Sequence, residues 1–204
     1  MKRLFLSSSF EDVAHIFDDF AAEDLQGKRV AFIPTAALHE SVDFYVEAGR
    51  AALAKRGLVI SELELSTATA SEAAAALENS DCIYVSGGNA FFLLQEMRRT
   101  GADKMIAAQI ESGKPYIGES AGSMILSPHI EYAQAMDNRE EAPDLPDFEA
   151  LNVIDFYPLP HYASAPFETA TESIVASYGT SLALTPIGNA QAVTVYGDVT
   201  TMRE

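Results

Sequence analysis

Short apolar runs alternate with longer segments of helical periodicity through the first 120 residues of the chain. Five runs have the length and the flanking Gly, Pro, Ser or charged residues of strands, at residues 3–8, 29–36, 58–65, 81–88 and 114–120. Helical patterns lie between them, at residues 11–25, 39–57, 69–80 and 90–113. This alternation predicts an α/β fold, a three-layer sandwich with a mostly parallel central sheet between helices.

The remainder of the chain is less regular. Residues 135–151 are acidic, contain two prolines and are predicted to form a loop with at most one helical turn. An extended segment, a helix around residues 167–178 and two final strand-like runs follow. Because no stretch is long enough to act as a linker, we interpret residues 1–204 as a single domain.

The charge and the cysteine content exclude several classes of protein. A formal net charge of −17 argues against a nucleic-acid partner and against an anionic membrane surface. One cysteine, Cys82, excludes an intramolecular disulfide and a cysteine-rich zinc site. The N-terminal apolar run is too short for a signal peptide, and no window approaches the roughly 18 apolar residues of a membrane span. We therefore expect a cytoplasmic protein.

The sequence Gly118-Glu119-Ser120-Ala121-Gly122 follows a predicted strand and leads directly into a helix. In a parallel sheet, ligands bind outside the carboxyl ends of the strands, where this turn would lie. A serine at such a turn exposes its hydroxyl group, and the helix N-terminus favours developing negative charge. Ser120 is therefore a candidate nucleophile. A helix-capping serine is the alternative, because serine is a favoured capping residue.

A second glycine-rich turn, Val85-Ser86-Gly87-Gly88-Asn89, follows the fourth predicted strand. Two glycines let backbone amides approach a ligand closely. If this strand neighbours the strand before Ser120, the amides of Gly88 and Ala121 would converge and stabilise an oxyanion. Asn89 is a candidate for contact with substrate, and it also suits the N-cap of the helix that begins at Ala90.

A serine nucleophile needs a base, and the chain has four histidines. His15 lies within the first predicted helix and His129 at the end of the helix after Ser120. His39 follows the second strand at the correct edge of the sheet but is predicted to open a helix. His161 lies in the segment FYPLPHYASAP, where prolines restrict the backbone and would hold the imidazole in place. His161 is the leading candidate and His39 the second.

The segments SGGNAFFLLQ, PYIGESAGSMI and ALNVIDFYPLPHY, in this order and spacing, resemble the peptidase E family of serine hydrolases, the α-aspartyl dipeptidases and their relatives. The likeness extends from the first strand to at least Tyr162. It implies a fold like that of class I glutamine amidotransferases, with Ser120 as the nucleophile, His161 as the base and Gly88 in the oxyanion hole. Cys82, early in a predicted strand, is not expected to replace the serine.

The third member of the triad should be a carboxylate that orients the base. The resemblance points to the acidic stretch after the elbow helix, where Asp137 is the best match and Asp155 and Glu168 are alternatives. A glutamate near the C-terminus of the family has also been considered for this role. The matching position in the segment TPIGNAQ is Ile187, so we do not expect the third residue there.

Aspartyl selectivity requires a cation that binds the substrate carboxylate, usually an arginine. The family carries this arginine on the helix after the base histidine, where the present chain has Ala170 and no basic residue. We therefore do not expect strict specificity for aspartyl peptides. Glu119 is a candidate to attract a substrate amine, and a solvated surface glutamate is the alternative.

Together these features predict a serine peptidase that cleaves small peptides through a Ser-His-acid triad and a covalent acyl-enzyme. No metal or organic cofactor is implied, and a monomer or a homodimer is expected. One alternative is a related serine hydrolase that acts on another amide or ester, such as a branched aspartate polymer. Another is a non-catalytic binding protein with the same fold.

Overall fold

The computed structural model describes residues 1–21 and 24–204. Within them the strands are β1 (Arg3–Ser7), β2 (Arg29–Ile33), β3 (Val59–Glu62), β4 (Cys82–Val85), β5 (Tyr116–Glu119), β6 (Tyr157–Leu159), β7 (Leu184–Pro186), β8 (Ala192–Tyr196) and β9 (Val199–Arg203). The α-helices are α1 (Phe10–Ala21), α2 (Phe44–Lys55), α3 (Ala70–Glu78), α4 (Ala90–Thr100), α5 (Ala102–Glu111), α6 (Ala121–Met124) and α7 (Glu168–Tyr178). Short 3-10 helices span Thr35–Ala37, Glu131–Ala135 and Arg139–Glu141.

Seven strands form the central sheet in the order β3-β2-β4-β5-β1-β8-β9. The first five in this order run parallel to one another, and β8 and β9 add an antiparallel edge. β6 and β7 form a separate parallel pair. The predicted mostly parallel α/β sandwich is thus confirmed. The order also places β4 beside β5, so the two glycine-rich turns leave neighbouring strands at the same edge.

Both faces of the sheet are apolar, because successive side chains of a strand point to opposite faces. In β1, Leu4 and Leu6 pack with helices α3 to α6 on one face. Phe5 points to the other face, where it packs against Phe10, Phe17 and other side chains of α1. The sheet is therefore buried between two helical layers, and the loops at its edge rest on a rigid support.

Two helices differ from the pattern in the sequence. Residues 39–57 were expected to be helical throughout, but α2 begins at Phe44. The segment 90–113 is divided at Gly101, whose φ of 75° ends α4 in the left-handed region that glycine adopts without steric cost. The predicted helix 11–25 includes residues 22 and 23, which lie outside the described residues. Of the helices that are described, none has the length and apolar character needed to cross a membrane.

Candidate active site

The turn between β5 and α6 has a sharp and unusual backbone. Ser120 has φ 47° and ψ −109°, in the positive-φ region that residues with a side chain rarely adopt. The two flanking glycines allow close packing, because a β-carbon on Gly118 would lie 2.5 Å from the Gly122 oxygen. A β-carbon on Gly122 would lie 2.2 Å from the Val85 oxygen. The spacing of glycines around Ser120 is therefore required by packing in the folded chain.

The Ser120 hydroxyl makes no capping hydrogen bond to α6 and instead contacts the candidate base. Its Oγ lies 3.0 Å from Nε2 of His161. The other ring nitrogen, Nδ1, lies 2.9 Å from Oδ1 of Asn189. These two contacts connect Ser120, His161 and Asn189 in a continuous hydrogen-bonded chain. With the amide oxygen accepting from Nδ1–H, the Nε2 lone pair faces the serine hydroxyl.

His161 is held by its backbone and by its ring. Its φ of 57° is left-handed, and the imidazole stacks on the ring of Phe167 with centroids 4.7 Å apart. Burial lowers the pKa of His161 below its usual value, and the contact with Asn189 partly opposes this effect. The imidazole is therefore neutral at pH 7, the form that can accept a proton from a serine.

Asp137 does not occupy the position predicted for it. Its Oδ2 accepts a hydrogen bond of 2.8 Å from the backbone N–H of Ala90, at the start of α4. The residue is half-buried at the margin of the cleft described below, and desolvation raises the pKa of Asp137 to about 7. The carboxyl group thus serves the N-terminus of a helix, where a negative charge is favoured. The position beside His161 Nδ1 belongs to Asn189.

The sequence did not indicate Asn189, because the family's glutamate position matches Ile187 in the segment TPIGNAQ, two residues earlier. The structure turns this segment between β7 and β8 so that Ile187 is buried while Asn189 reaches the imidazole. The alternatives Asp155 and Glu168 are both exposed, and the two ring nitrogens of His161 have Ser120 and Asn189 as their partners instead. The polar side chain of Asn189, two residues after Ile187, was the feature of the sequence that could have indicated the third residue.

The glycine-rich turn after β4 lies against the nucleophile. A β-carbon on Gly87 would be 3.1 Å from the Ser120 β-carbon, and one on Gly88 would overlap the Ala36 backbone at 2.2 Å. Gly88 has φ 128°, which a residue with a side chain adopts only under strain. Within the described part of the chain, the backbone amides of Gly88 and Ala121 donate to no protein acceptor. Both amides are therefore available for a ligand.

Asn89 caps a helix. Its Oδ1 accepts from the backbone amides of Phe91 and Phe92, each at 3.0 Å, and its Nδ2 donates to the Asn138 carbonyl at 2.8 Å. The residue is 2% exposed, although it borders the cleft described below. Its amide group is thus already engaged at both ends, and the predicted contact with substrate gains no support.

Glu119 is buried beneath the active site, so its interpretation as a solvated surface glutamate is wrong. The residue is 2% exposed, and its two oxygens accept from the Phe10 amide at 2.8 Å and the Tyr84 hydroxyl at 2.6 Å. Burial raises the pKa of Glu119 to about 7, against the opposing effects of Tyr84 and the Phe10 and Gly87 amides. The carboxyl group joins the loops after β1, β4 and β5, rather than presenting a free charge to a substrate.

A cleft of about 740 Å³ opens over Ser120 and His161. Six acidic residues border it among the described residues: Glu11, Asp12 and Glu40 are exposed, Asp137 and Glu141 are half-buried, and Glu119 is buried. None of the described residues that line it is Lys or Arg. His39, the second candidate base, lies in the wall of the cleft with its ring against Phe92 at 4.5 Å. The electrostatic environment of the cleft is therefore acidic.

The remaining residues singled out in the sequence lie away from this chemistry. Cys82 is buried in β4, His15 is exposed on α1, and the His129 ring contacts Tyr157. Across residues 1–21 and 24–204, no three His, Cys, Asp or Glu side chains are grouped so as to hold a metal ion. The chemistry that these residues offer is nucleophilic attack by a serine with a histidine base.

Comparisons with known proteins point to the same chemistry. The family model described as peptidase family S51 matches residues 4–203. The chain is 53% identical over 195 residues to the uncharacterized peptidase Lin0382 of Listeria innocua, covering 96% of this chain and 93% of the relative. It is 31% identical over 166 residues to a peptidase E of Streptomyces coelicolor, covering 79% of this chain and 64% of that protein. A crystal structure of a candidate peptidase E from Listeria monocytogenes superposes with a TM-score of 0.95 at 49% identity, covering 100% of this chain and 98% of the other.

Proposed function

The chain belongs to peptidase family S51 and is a serine peptidase, and from this premise we propose that it hydrolyses small peptides through Ser120, His161 and Asn189. The contact of 3.0 Å between Ser120 Oγ and His161 Nε2, in a cleft that reaches solvent, is the observation that carries this proposal. A serine and a neutral imidazole in hydrogen-bonding contact are the minimum equipment for acyl transfer.

In the first half of the reaction, Ser120 Oγ attacks the scissile carbonyl carbon while His161 Nε2 takes the hydroxyl proton. The carbonyl oxygen becomes an oxyanion, which the free amides of Gly88 and Ala121 stabilise. His161 then returns the proton to the leaving amine, and an acyl-enzyme remains on Ser120. In the second half, His161 activates a water molecule that hydrolyses the ester.

Asn189 orients the base without adding a charge. Its Oδ1 fixes the Nδ1–H tautomer of His161, which leaves Nε2 free to accept the serine proton. A carboxylate in this position would also stabilise the imidazolium ion that forms during attack, and a neutral amide does so only weakly. We therefore expect a modest rate of acylation.

The charge of the cleft supports the expectation that the enzyme is not a strict aspartyl dipeptidase. The exposed carboxylates in its lining repel an acidic substrate side chain, and the described lining residues include no Lys or Arg to pair with one. α7, which follows the base, also has no basic residue. Small peptides with neutral or cationic side chains fit this environment better. A cytoplasmic location and a monomeric or homodimeric state remain predictions from the sequence.

The test of this proposal is covalent labelling of Ser120 by a fluorophosphonate probe, with the labelled peptide identified by mass spectrometry. We expect a single modification at Ser120 in the native protein and its loss in Ser120→Ala and His161→Ala. Turnover is tested in parallel by measuring the free amino groups that are released when the protein is incubated with a dipeptide mixture. A folded native protein that is neither labelled nor active would instead support a binding protein that has retained the fold. Labelling without peptide hydrolysis would support another amide or ester substrate.

A further inference from the structure

Ser8 lies directly after β1 and connects two loops of the active site through one hydroxyl group. Its Oγ accepts a hydrogen bond of 2.9 Å from the backbone N–H of His161 and donates one of 2.8 Å to the Ile187 carbonyl. The residue is 1% exposed. A hydroxyl group can donate and accept at once, and both capacities are used here.

Both loops carry a residue of the Ser-His-Asn chain. One contains His161, and the other contains Asn189, two residues after Ile187. The loops also contact each other, because Ile187 donates to the Leu159 carbonyl at 2.9 Å and accepts from the Tyr162 amide at 3.1 Å. Ser8 therefore joins the two loops where they meet, close to the base and to its orienting partner.

The backbone of His161 needs such an anchor. Its φ of 57° lies in the left-handed region, where a residue with a β-carbon is disfavoured and persists only when its surroundings hold it. The Ser8 hydroxyl oxygen accepts the hydrogen bond from the backbone N–H of His161. Without that acceptor, the amide would be left unsatisfied in a partly buried position, and the loop would gain freedom to relax.

The backbone of the nucleophile, Ser120, is hydrogen-bonded to Ser7, the residue before Ser8. The Ser7 carbonyl accepts from the Ser120 amide at 2.9 Å, and the Ser7 amide contacts Ser123 Oγ at 3.1 Å. Ser7 thus holds the elbow while Ser8 holds the loops of the base and of Asn189. Ser7 and Ser8, at the end of a buried strand, therefore hold the backbones of Ser120 and His161, whose side chains lie 3.0 Å apart.

We propose that Ser8 is a positioning residue, whose hydroxyl group aligns His161 and Asn189 with Ser120 for proton transfer. This inference rests on the proposed peptidase function. Ser8 takes no part in bond making or breaking and acts through His161. A displacement of about 1 Å at a reacting group can reduce a rate roughly 100-fold, so a single hydrogen-bonding hydroxyl group is sufficient to matter.

The test compares Ser8→Ala with Ser8→Thr, which retains the hydroxyl group, and with Ser80→Ala as a matched control. Ser80 is also buried and donates to a backbone carbonyl, that of Leu77, at the opposite edge of the sheet. The readouts are the rate of fluorophosphonate labelling at Ser120, kcat and KM for a dipeptide, and the NMR signals of the His161 ring nitrogens.

We expect Ser8→Ala to lower the labelling rate and kcat by about 10- to 100-fold, with a smaller change in KM. Ser8→Thr should recover most of the rate, and Ser80→Ala should lose stability with little change in rate. The ring nitrogen signals of His161 should shift or broaden in Ser8→Ala. If Ser8→Ala does not fold, Ser8→Cys, which has nearly the same shape but bonds weakly, replaces it.

Labelling of Ser8→Ala at the native rate, with unchanged His161 signals, would overturn this inference and leave the proposed function intact. A folded native protein that is never labelled would overturn the proposed function. The NMR comparison would then still decide whether Ser8 aligns the imidazole. Equal losses of rate in Ser8→Ala and Ser80→Ala would indicate a general effect of stability and would also overturn the positioning role.

Discussion

His161 Nδ1 lies 2.9 Å from Asn189 Oδ1, so a neutral amide orients the imidazole where a carboxylate was expected. The amide fixes the ring tautomer and orientation as a carboxylate would. It does not supply the negative charge that stabilises an imidazolium ion. The chain therefore separates the two contributions of a third triad residue, orientation and charge, and the first prediction depends on this separation.

The first prediction is that Asn189→Asp raises the pKa of His161 and increases the rate of acylation about tenfold or more. The new carboxylate would accept from the same Nδ1–H and add the missing charge. Asn189→Ala should instead lower the rate, because the tautomer is no longer fixed. NMR titration of His161 and the rate of fluorophosphonate labelling measure both effects. Asn138→Asp is the control, because it adds the same charge to the cleft away from the His161 ring. We expect it to raise the pKa of His161 less, and that smaller shift measures the electrostatic effect of a charge that is not hydrogen-bonded to the ring. An unchanged pKa in Asn189→Asp would contradict the assignment of Asn189.

The second prediction concerns the pH dependence of the native enzyme. Burial lowers the pKa of His161, and the base acts in its neutral form. The rate of acylation should therefore rise with pH through a midpoint below the usual value of about 6.5 and should be level near pH 7 and above. A pH profile of kcat/KM for a neutral dipeptide measures this midpoint. A midpoint clearly above that of a free histidine would argue against the buried, amide-paired imidazole.

The third prediction is that ionisation of Glu119 makes the fold less stable as the pH rises from about 4.5 to about 7. Its pKa rises to about 7 on folding, so the native state binds the proton more tightly than the unfolded chain. The contribution of this group to stability is therefore present at acidic pH and is lost as the pH rises from about 4.5 to about 7. The loss amounts to about 3 kcal/mol as an upper bound.

Replacement by a neutral residue tests the third prediction. Glu119→Gln should resemble the native protein near pH 5 and become more stable relative to it as the pH rises to 8, as measured by urea unfolding. Glu72→Gln is a control of opposite sign, because hydrogen bonds from Thr69 lower the pKa of Glu72. The stability that Glu72 contributes is lost as the pH falls. A pH-independent difference between Glu119→Gln and the native protein would show that Glu119 is already ionised at little cost.

The fourth prediction is that Gly118→Ala lowers the free energy of unfolding by about 3 kcal/mol and slows labelling of Ser120. The new methyl group would meet the Gly122 backbone at 2.5 Å, so the elbow must shift. Gly188→Ala is the matched control, since neither Gly118 nor Gly188 has a positive φ. The methyl group added at Gly188 would meet the flexible Gln191 side chain, at 3.3 Å. Equal stability of the two variants would contradict the packing account of the elbow.

The fifth prediction concerns substrate charge. Among Lys-Leu, Ala-Leu and Asp-Leu, we expect Asp-Leu to have the lowest kcat/KM, by about tenfold or more at low ionic strength. The difference should narrow as salt screens the cleft. Glu40→Gln and Glu141→Gln, which neutralise charges in the lining, should narrow it further. A strong preference for Asp-Leu would show that an unidentified group binds the substrate carboxylate.

Local patterns in the sequence were sufficient for the framework of this protein. Five apolar runs predicted the five parallel strands, because strand periodicity and flanking turn residues act over a few residues. The glycine spacing around Ser120 predicted an elbow, and the order of the strands confirmed that the two glycine-rich turns are neighbours. The restricted segment around His161 predicted a base, and its imidazole lies in contact with Ser120.

The tertiary structure alone decided which polar groups meet. Asn189 reaches His161 because the segment between β7 and β8 folds back to the sheet edge, a contact between residues 28 positions apart. Glu119 is buried and Asp137 is half-buried, and each carboxyl group accepts a hydrogen bond from a backbone amide at the start of a helix, α1 and α4 respectively. Sequence determined where strands end and turns occur, because those preferences are local. The partner of each buried polar group depends on how distant loops converge, and that is fixed only when the whole sheet assembles.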